Sequence, residues 1–300
     1  MLLEGFEGIY PAAVSPRDSE GEFSEKAMEL LVTRLYEADV NGLYMCGNTG
    51  EGYLMTPAER KQAAEISVAG SDGKGKVVIH VGAPAERDAL ELAKHAAEIG
   101  ADAISSLPPY VQGYKFEEIL AYYSHLAEVS GLPTFVYYIP VVTHQEFSLA
   151  QVDEMLGLDG VAGLKFTNHN LFLMEGILQS SYSPHVFNGH DEVMLAGLAM
   201  GAQGGIGSFY NLMPRNFVGI YEAVKQQDLA AGRQLQSEVN QMIRIAQQYG
   251  MHGTIRAVLK WQGIDCGDPV LPTLPLEDAS QVALKADLIS SGLAEILGVS

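Results

Sequence analysis

The strongest constraint on the fold is a rhythm of short apolar runs, each followed by a helical pattern, that recurs eight times. Strand-like runs that alternate with amphipathic helices predict βα units and a parallel sheet. Eight such units close into a (β/α)₈ TIM barrel of about 250 residues. An open doubly wound sheet typically has a glycine-rich turn after its first strand, where this chain has Ser15-Pro16. We therefore expect barrel strands at residues 8–14, 43–46, 77–81, 101–104, 133–138, 161–167, 185–188 and 204–208.

The chain divides by pattern into a barrel and a helical extension. The eight βα units end near residue 227, and we expect residues 1–227 to form a barrel that carries the active site. Residues 228–300 then contain an amphipathic stripe around Val239, a helix near 254–262, a proline-rich connection and a last helix near 279–297. We expect this C-terminal extension to pack on the barrel.

Composition excludes several classes of partner. The formal net charge is −19, from 37 acidic and 18 basic residues. Such an acidic surface argues against binding to nucleic acid or to an anionic membrane. Cys46 and Cys266 lack metal-ligand spacing, and so few cysteines are typical of a reducing compartment. The N-terminus does not resemble a signal peptide and no apolar run approaches a membrane span, so we expect a cytoplasmic protein.

One lysine is unusually placed. Lys165 stands near the end of the strand-like run Val161-Ala-Gly-Leu-Lys-Phe-Thr167, and it is the only lysine at a predicted strand end. The active site of a TIM barrel lies at the carboxyl ends of its strands. Burial there lowers the pKa of a lysine and gives the neutral amine that Schiff-base chemistry requires. Taken alone, the segment also fits a lysine that reaches water, which is the common case.

Other strand ends supply groups that fit such chemistry. The turn Gly47-Asn-Thr-Gly-Glu-Gly52 offers main-chain amides and a hydroxyl that can cradle a carboxylate. Tyr137 is one residue before the end of its strand and could relay a proton. It points to the face opposite that of Tyr138, so at most one of the pair enters the barrel. Gly189-His-Asp-Glu192 and Ser208 could bind a polyol, or the two acids could complement a helix dipole.

We expect no metal. His190 has no partner at metal-ligand spacing along the chain, and His80 lies within a predicted strand. Ligands can still converge from distant loops, which spacing alone does not reveal.

With these motifs assembled, the sequence resembles the N-acetylneuraminate lyase and dihydrodipicolinate synthase superfamily over essentially its whole length. Gly47-Asn-Thr-Gly-Glu51 resembles the family's Gly-Ser/Thr-Thr-Gly-Glu carboxylate-binding turn, with Asn48 where a hydroxyl residue is usual. Tyr137-Tyr-Ile-Pro140 resembles its Tyr-Asn-Ile/Val-Pro motif, with a departure at Tyr138. Gly163-Leu-Lys-Phe-Thr167 resembles its Schiff-base strand.

Two further positions resemble the lyase branch. Dihydrodipicolinate synthases carry an arginine where this chain has Val142, which cannot bind a second carboxylate. Gly189-His-Asp-Glu192 and Gly204-Gly-Ile-Gly-Ser208 are similar to the sialic-acid lyase pattern, with Phe209 in place of a smaller residue.

The resemblance implies cleavage of N-acetylneuraminate to N-acetylmannosamine and pyruvate through an imine on Lys165, with Tyr137 as the proton relay. It also implies a homotetramer in which a neighbour's tyrosine enters the site, at the position of Tyr110. No cofactor is implied, because the lysine supplies the electrophile. The implied ligands of the substrate carboxylate are Asn48 and Thr49, and those of the sugar hydroxyls are Thr167, Gly189, Asp191, Glu192 and Ser208.

Three alternatives stay open at this stage. The substrate could be another 2-oxo acid, such as a 2-keto-3-deoxy sugar acid, because Asn48 and Tyr138 depart from the family pattern. A condensation like that of dihydrodipicolinate synthase is a second possibility, and a non-catalytic sugar-acid binder is a third. Pairing of Lys165 with Tyr137 argues against the last of these.

Overall fold

The computed structural model describes residues 3–299 and contains a (β/α)₈ barrel, as expected. All eight strands are parallel and follow the order β1-β8-β7-β6-β5-β4-β3-β2. The ring closes between its first two strands, where Ala12 bridges Tyr44 and the Ala13 N–H donates to the Tyr44 carbonyl at 3.0 Å. The strands are Gly8–Pro11 (β1), Gly42–Met45 (β2), Lys76–His80 (β3), Ala103–Ser106 (β4), Thr134–Tyr138 (β5), Val161–Phe166 (β6), His185–Asn188 (β7) and Gly204–Gly207 (β8).

Helices follow the strands in the expected alternation, and their boundaries are set by local caps. Thr56 caps the second helix with a reciprocal capping box to Glu59, and Pro57 occupies its first turn. The barrel helices are Glu25–Tyr36 (α1), Pro57–Ser71 (α2), Glu86–Glu98 (α3), Phe116–Ser130 (α4), Pro140–Thr143 (α5), Leu149–Leu156 (α6), Leu171–Leu178 (α7), Met194–Ala199 (α8) and Pro214–Lys225 (α9). Short 3₁₀ turns cover Gly52–Leu54, Asp191–Val193 and Phe209–Asn211.

The extension consists of four helices that share the outer core of the barrel. These are Leu229–Tyr249 (α10), Met251–Trp261 (α11), Asp278–Ser290 (α12) and Leu293–Leu297 (α13). Val239 of α10 and Leu284 of α12 are fully buried in the same cluster as the barrel helices. The division of the chain at residues 227 and 228 stays a prediction. Across residues 3–299, no helix is both long and apolar enough to cross a membrane.

Several expected boundaries shift by a few residues, and two elements differ in a way that has a clear physical reason. The first strand was expected to reach residue 14, but regular pairing ends at Pro11. Beyond it, the Ala12 N–H donates to Gly207 and the Ala13 N–H to Tyr44, so the chain bonds to two different strands. The last helix is broken at Gly292, which has a φ of 79° that other residues rarely adopt. It therefore forms two helices instead of one.

Two apolar layers follow from the period-two pattern of the strands. One layer fills the barrel interior, and the other lies between strands and helices. Tyr137 belongs to the interior layer, whereas Tyr138 packs outside against Phe147 and Phe166 with ring centroids 5.8 and 5.5 Å away. The prediction that these tyrosines point to opposite faces is confirmed. Tyr138, one of the departures from the family motifs, therefore lies outside the barrel.

Candidate active site

Lys165 lies inside the barrel near the carboxyl end of β6 and is only 3% exposed. Its Nζ lies 4.1 Å from the ring centroid of Tyr137 and 4.3 Å from that of Tyr44. Burial lowers the pKa of the Lys165 ammonium to about 7, against a smaller opposing effect of Asp191. At neutral pH a large fraction of this side chain is therefore the free amine, the form that attacks a carbonyl.

Tyr137 lies directly beside Lys165 because β5 pairs with β6 in a register that places these residues opposite each other. The tyrosine is 3% exposed. Burial raises the pKa of its phenol well above the ordinary value, and a nearby Thr167 hydroxyl opposes this shift only weakly. The Thr167 Oγ1 lacks a well-oriented hydrogen bond within residues 3–299. Tyr137 is therefore a neutral hydroxyl at physiological pH, able to donate and accept a proton together.

Two aromatic side chains of the site were missed from the sequence. The Tyr44 hydroxyl donates to Ser105 Oγ at 3.1 Å, and its ring packs edge-on against Tyr137 at 6.1 Å. His80 packs edge-on against the same ring at 6.0 Å. Burial, with Lys165 among the nearby cations, lowers the pKa of His80 well below its usual range. The available signal was their position on strand faces that point inward, near the carboxyl ends of β2 and β3.

The turn after β2 faces the turn after β8. Thr49 Oγ1 and Ser208 Oγ lie 2.7 Å apart, so hydroxyls from distant parts of the sequence meet in the barrel mouth. Within residues 3–299, the main-chain N–H groups of Asn48 and Thr49 have no hydrogen-bond acceptor. Two free amides beside two hydroxyls form a small donor-rich pocket, which suits a carboxylate.

Glu51 closes this turn but points away from the mouth. Its φ of 53° is left-handed, and its carboxylate accepts hydrogen bonds from Arg256 of α11 at 2.5 Å and from the Val270 N–H at 2.9 Å. Arg256 also donates to the Ser15 carbonyl at 3.0 Å. This buried pair fixes the turn to the extension, so Glu51 supports the shape of the pocket.

The loop after β7 brings polar groups next to Lys165. Asp191 is 6% exposed, and its Oδ2 accepts from the Phe209 N–H at 2.7 Å. Burial raises the pKa of this carboxyl to about 7, although that N–H and Lys165 lower it. Gly189 must lack a side chain, because a Cβ there would lie 1.9 Å from Thr167 Oγ1. Thr167 and Gly189 are therefore in direct contact in the mouth.

Glu192 occupies the outer edge of the mouth with two histidines. Its Oε1 lies 3.0 Å from His169 Nε2 and 3.2 Å from His190 Nδ1. Burial alone would raise the pKa of Glu192, but hydrogen bonds from both histidines outweigh it and lower the pKa to about 2. The sequence offered His190 no partner at metal-ligand spacing, but the fold brings two potential metal ligands, His169 and Glu192, next to it. We call His169, His190 and Glu192 the rim cluster.

Tyr110 is half-buried and packs against the interior layer of its own chain. Burial raises the pKa of its phenol. Its implied entry into a neighbouring subunit's site stays a prediction. The structure thus brings Asn48, Thr49, Tyr137, Lys165, Thr167, Gly189, Asp191, Glu192 and Ser208 to one end of the barrel, on or beside the carboxyl ends of β2, β5, β6, β7 and β8.

A (β/α)₈ barrel with a buried lysine of lowered pKa beside a tyrosine is the arrangement of a Schiff-base aldolase. The chain belongs to the Dihydrodipicolinate synthetase family, whose sequence profile matches residues 5–290. The superfamily membership expected from the motifs is therefore confirmed.

Relatives of the chain agree with this placement. The N-acetylneuraminate lyase of Rhizobium meliloti (strain 1021) is 34% identical over 279 residues, which cover 93% of each chain. The structure of CdNal from Clostridium difficile in complex with mannosamine is 29% identical, with a TM-score of 0.92 over 95% of this chain and 99% of that chain. A Ruminococcus gnavus sialic acid aldolase catalytic lysine mutant is 26% identical, with a TM-score of 0.93 over 99% of both chains.

Proposed function

We propose that this chain is a Schiff-base aldolase that cleaves N-acetylneuraminate to N-acetylmannosamine and pyruvate. The observation that carries the proposal is the buried Lys165, with a pKa lowered to about 7, beside Tyr137 in the barrel mouth. Similarity to the R. meliloti N-acetylneuraminate lyase supports the substrate. Similarity to the R. gnavus sialic acid aldolase, whose mutant concerns a catalytic lysine, supports the chemistry.

The reaction begins with the free amine of Lys165. It attacks the C2 ketone of the open-chain sugar acid, and the carbinolamine takes up a proton on its hydroxyl and loses water to give a protonated imine. The cationic imine then accepts the electron pair of the C3–C4 bond. Cleavage leaves an enamine of pyruvate on Lys165 and an aldehyde, N-acetylmannosamine. Protonation of the enamine at C3 and hydrolysis of the imine release pyruvate and restore the amine.

Tyr137 relays the proton that leaves the C4 hydroxyl. Because burial disfavours its phenolate, Tyr137 accepts this proton only while it passes its own proton on. The substrate carboxylate is the nearest chemically suitable acceptor in this scheme. The Tyr44 ring also lies against the Lys165 amine, and its hydroxyl donates a hydrogen bond to Ser105 Oγ at 3.1 Å.

The pocket after β2 anchors the substrate carboxylate. The unpaired N–H groups of Asn48 and Thr49 and the Thr49 hydroxyl, which lies 2.7 Å from Ser208 Oγ, supply donors without a charged side chain. Main-chain donors perform this task whatever side chain follows Gly47. Replacement of the usual hydroxyl residue by Asn48 is therefore compatible with carboxylate binding.

The opposite end of the substrate extends towards the loops after β6, β7 and β8. Thr167 and Ser208 offer hydroxyls, and Gly189, which lies against Thr167, offers its main-chain carbonyl. Asp191 lies deeper and Glu192 lies at the edge, so they accept hydrogen bonds from sugar hydroxyls at two depths.

We also propose that the protein is a cytoplasmic homotetramer with a barrel of residues 1–227 and an extension of 228–300. Exposed apolar residues after β4, β5 and β6 support a subunit contact beside the mouth: Val111 is 62% exposed, Val141 73% and Phe172 86%. Two buried cysteines that form no disulfide are consistent with a reducing compartment. Light scattering coupled to size exclusion tests the assembly, and a monomer at micromolar concentration would contradict it.

The experiment that tests the proposed substrate is a pyruvate-release assay over a panel of 2-oxo acids. N-acetylneuraminate should be cleaved best, with N-acetylmannosamine as the second product. A short 2-keto-3-deoxy acid should be a poor substrate, because it does not reach Glu192. Efficient cleavage of the short acid with none of N-acetylneuraminate would overturn the proposal.

A further inference from the structure

The rim cluster gathers three potential metal ligands from two loops. His169 follows β6, and His190 and Glu192 follow β7. One ligand atom from each side chain lies within 4.8 Å of the other two. Within residues 3–299 this is the only group of three histidine, cysteine or carboxylate side chains that converges in this way. Two imidazole nitrogens with one carboxylate oxygen form a ligand set typical of zinc.

The spacing of these atoms suits a tetrahedral ion. Zinc–nitrogen distances of about 2.0–2.1 Å place neighbouring ligand atoms about 3.4 Å apart. Glu192 Oε1 already lies 3.0 Å from His169 Nε2 and 3.2 Å from His190 Nδ1. The two rings are stacked, with centroids 4.0 Å apart and planes at 19°. The in-plane lone pairs of stacked rings do not converge, so a shared ion requires rotation of the His169 ring, whose side chain is 61% exposed, to direct its Nε2 at the ion that His190 Nδ1 binds.

The main chain around all three residues is held in place. The Asn188 side-chain amide donates to the His190 carbonyl at 2.7 Å, and Asn240 of α10 donates to the Glu192 carbonyl at 3.0 Å. The His169 carbonyl accepts from the Leu171 N–H at 2.8 Å. Because the main chain is already fixed, these three side chains lose little conformational entropy when an ion binds. The loops therefore favour metal coordination.

We propose that His169, His190 and Glu192 bind one divalent transition-metal ion, with Zn²⁺ as the best fit, at the rim of the barrel mouth. Imidazole ligands favour such ions over Mg²⁺ or Ca²⁺. The ion takes no part in the chemistry at Lys165. Its effect rests on the proposed function: bound metal occupies the Glu192 carboxylate and removes it from the sugar hydroxyls. Zn²⁺ is therefore an inhibitor that weakens binding of the sugar acid.

The binding claim is tested without activity, by equilibrium dialysis of the untagged protein against Zn²⁺ followed by metal analysis. The wild-type chain should retain one Zn²⁺ per chain. His169→Ala and His190→Ala should each weaken binding on the order of tenfold or more. His125→Ala is the matched control, since His125 also pairs with a glutamate, Glu86, at 2.8 Å but belongs to no group of three such ligands within residues 3–299.

Binding of one Zn²⁺ by wild type and by His125→Ala, but not by the two rim variants, supports the site. No stoichiometric Zn²⁺ on the wild-type chain would overturn it, as would equal retention by all variants. Circular dichroism confirms that each variant is folded.

The inhibitory effect is tested separately by kinetics. Zn²⁺ should raise the KM for N-acetylneuraminate in the wild-type chain but not in His169→Ala, and should leave borohydride trapping of pyruvate on Lys165 unchanged. Equal loss of trapping and cleavage would overturn the rim location. If the chain does not cleave N-acetylneuraminate at all, the proposed function fails while dialysis still decides the metal site.

Discussion

Asp191 and Glu192 are adjacent in the chain but lie in opposite electrostatic environments. Asp191 is 6% exposed, and burial raises the pKa of its carboxyl to about 7. Burial also acts to raise the pKa of Glu192, yet hydrogen bonds from His190 and His169 outweigh it and lower the pKa to about 2. One step along the main chain thus separates a carboxyl that is easily protonated from one that stays ionised.

The same contrast separates two layers of the site. We call Lys165, Tyr137, Tyr44 and Asp191 the floor, because all four are buried at or beside the carboxyl ends of the strands. The floor shifts pKa values by removing water, which suits proton transfer and imine formation. The rim cluster is partly exposed and holds a fixed charge, which suits recognition of the variable end of a substrate. We therefore expect substitutions in the floor to slow the reaction steps, and substitutions in the rim cluster to reduce the preference for one substrate over another.

The largest effect on activity should follow from removal of the Lys165 amine. We expect Lys165→Ala to lower kcat/KM for N-acetylneuraminate by at least about 10³-fold, because no imine can form. Lys94→Ala is the matched control, since the Lys94 side chain is 69% exposed on the barrel surface, and it should keep normal activity. Substantial cleavage by the Lys165 variant would show that the amine is not the nucleophile.

The second-largest effect on activity should follow from removal of the Tyr137 hydroxyl. Tyr137→Phe should lower kcat by about 10²- to 10³-fold, since a positioned proton relay contributes about that much. Tyr138→Phe is the control, because this neighbour packs outside the barrel, and its kcat should stay close to that of the wild type. Steady-state kinetics measures both, and equal losses in the two variants would contradict the assignment of faces.

A rim variant should change selectivity. Glu192→Ala should lower kcat/KM for N-acetylneuraminate by about 10- to 100-fold, mainly through KM, because sugar hydroxyls lose a charged acceptor. Short 2-keto-3-deoxy acids should be affected little. Glu86→Ala removes another histidine-paired glutamate, which is exposed at the start of α3, and serves as the control. A uniform loss over the whole panel would indicate that Glu192 supports the floor instead.

The smallest effect is a pH dependence that belongs to the floor. The reactive form of Lys165 is the neutral amine, and its fraction falls as pH decreases through a pKa of about 7. Between about pH 8 and about pH 6 the rate of imine formation with pyruvate should fall by roughly tenfold. Single-turnover trapping measures this rate. A rate that rises steadily up to about pH 10 would indicate an ordinary lysine.

The sequence predicted the barrel and its lysine because both depend on local patterns. The periodicity of strands and helices is visible in residues that are close along the chain. Because active sites of TIM barrels lie at the carboxyl ends of the strands, Lys165 then stands out as the only lysine at a predicted strand end. The break at Gly292 was missed because the apolar pattern continues through it. Tyr44 and His80 were missed because inward-facing side chains meet across the barrel only through the register of several strands.

The rim cluster was missed for a related reason. Its members come from loops that are remote in sequence but follow neighbouring strands, since Phe166 of β6 pairs with Asn188 of β7. Parallel pairing brings His169 within 3.0 Å of Glu192. The spacing of the histidines along the chain does not predict this contact, because it depends on how the strands pair in the fold.

The most direct test of the central claim is borohydride reduction in the presence of pyruvate, followed by peptide mass spectrometry. We expect one stable adduct per chain, located on Lys165 and absent from Lys165→Ala. Tyr137→Phe and Glu192→Ala should still form the adduct. An adduct on another lysine, or one that persists in Lys165→Ala, would show that Lys165 is not the Schiff-base residue.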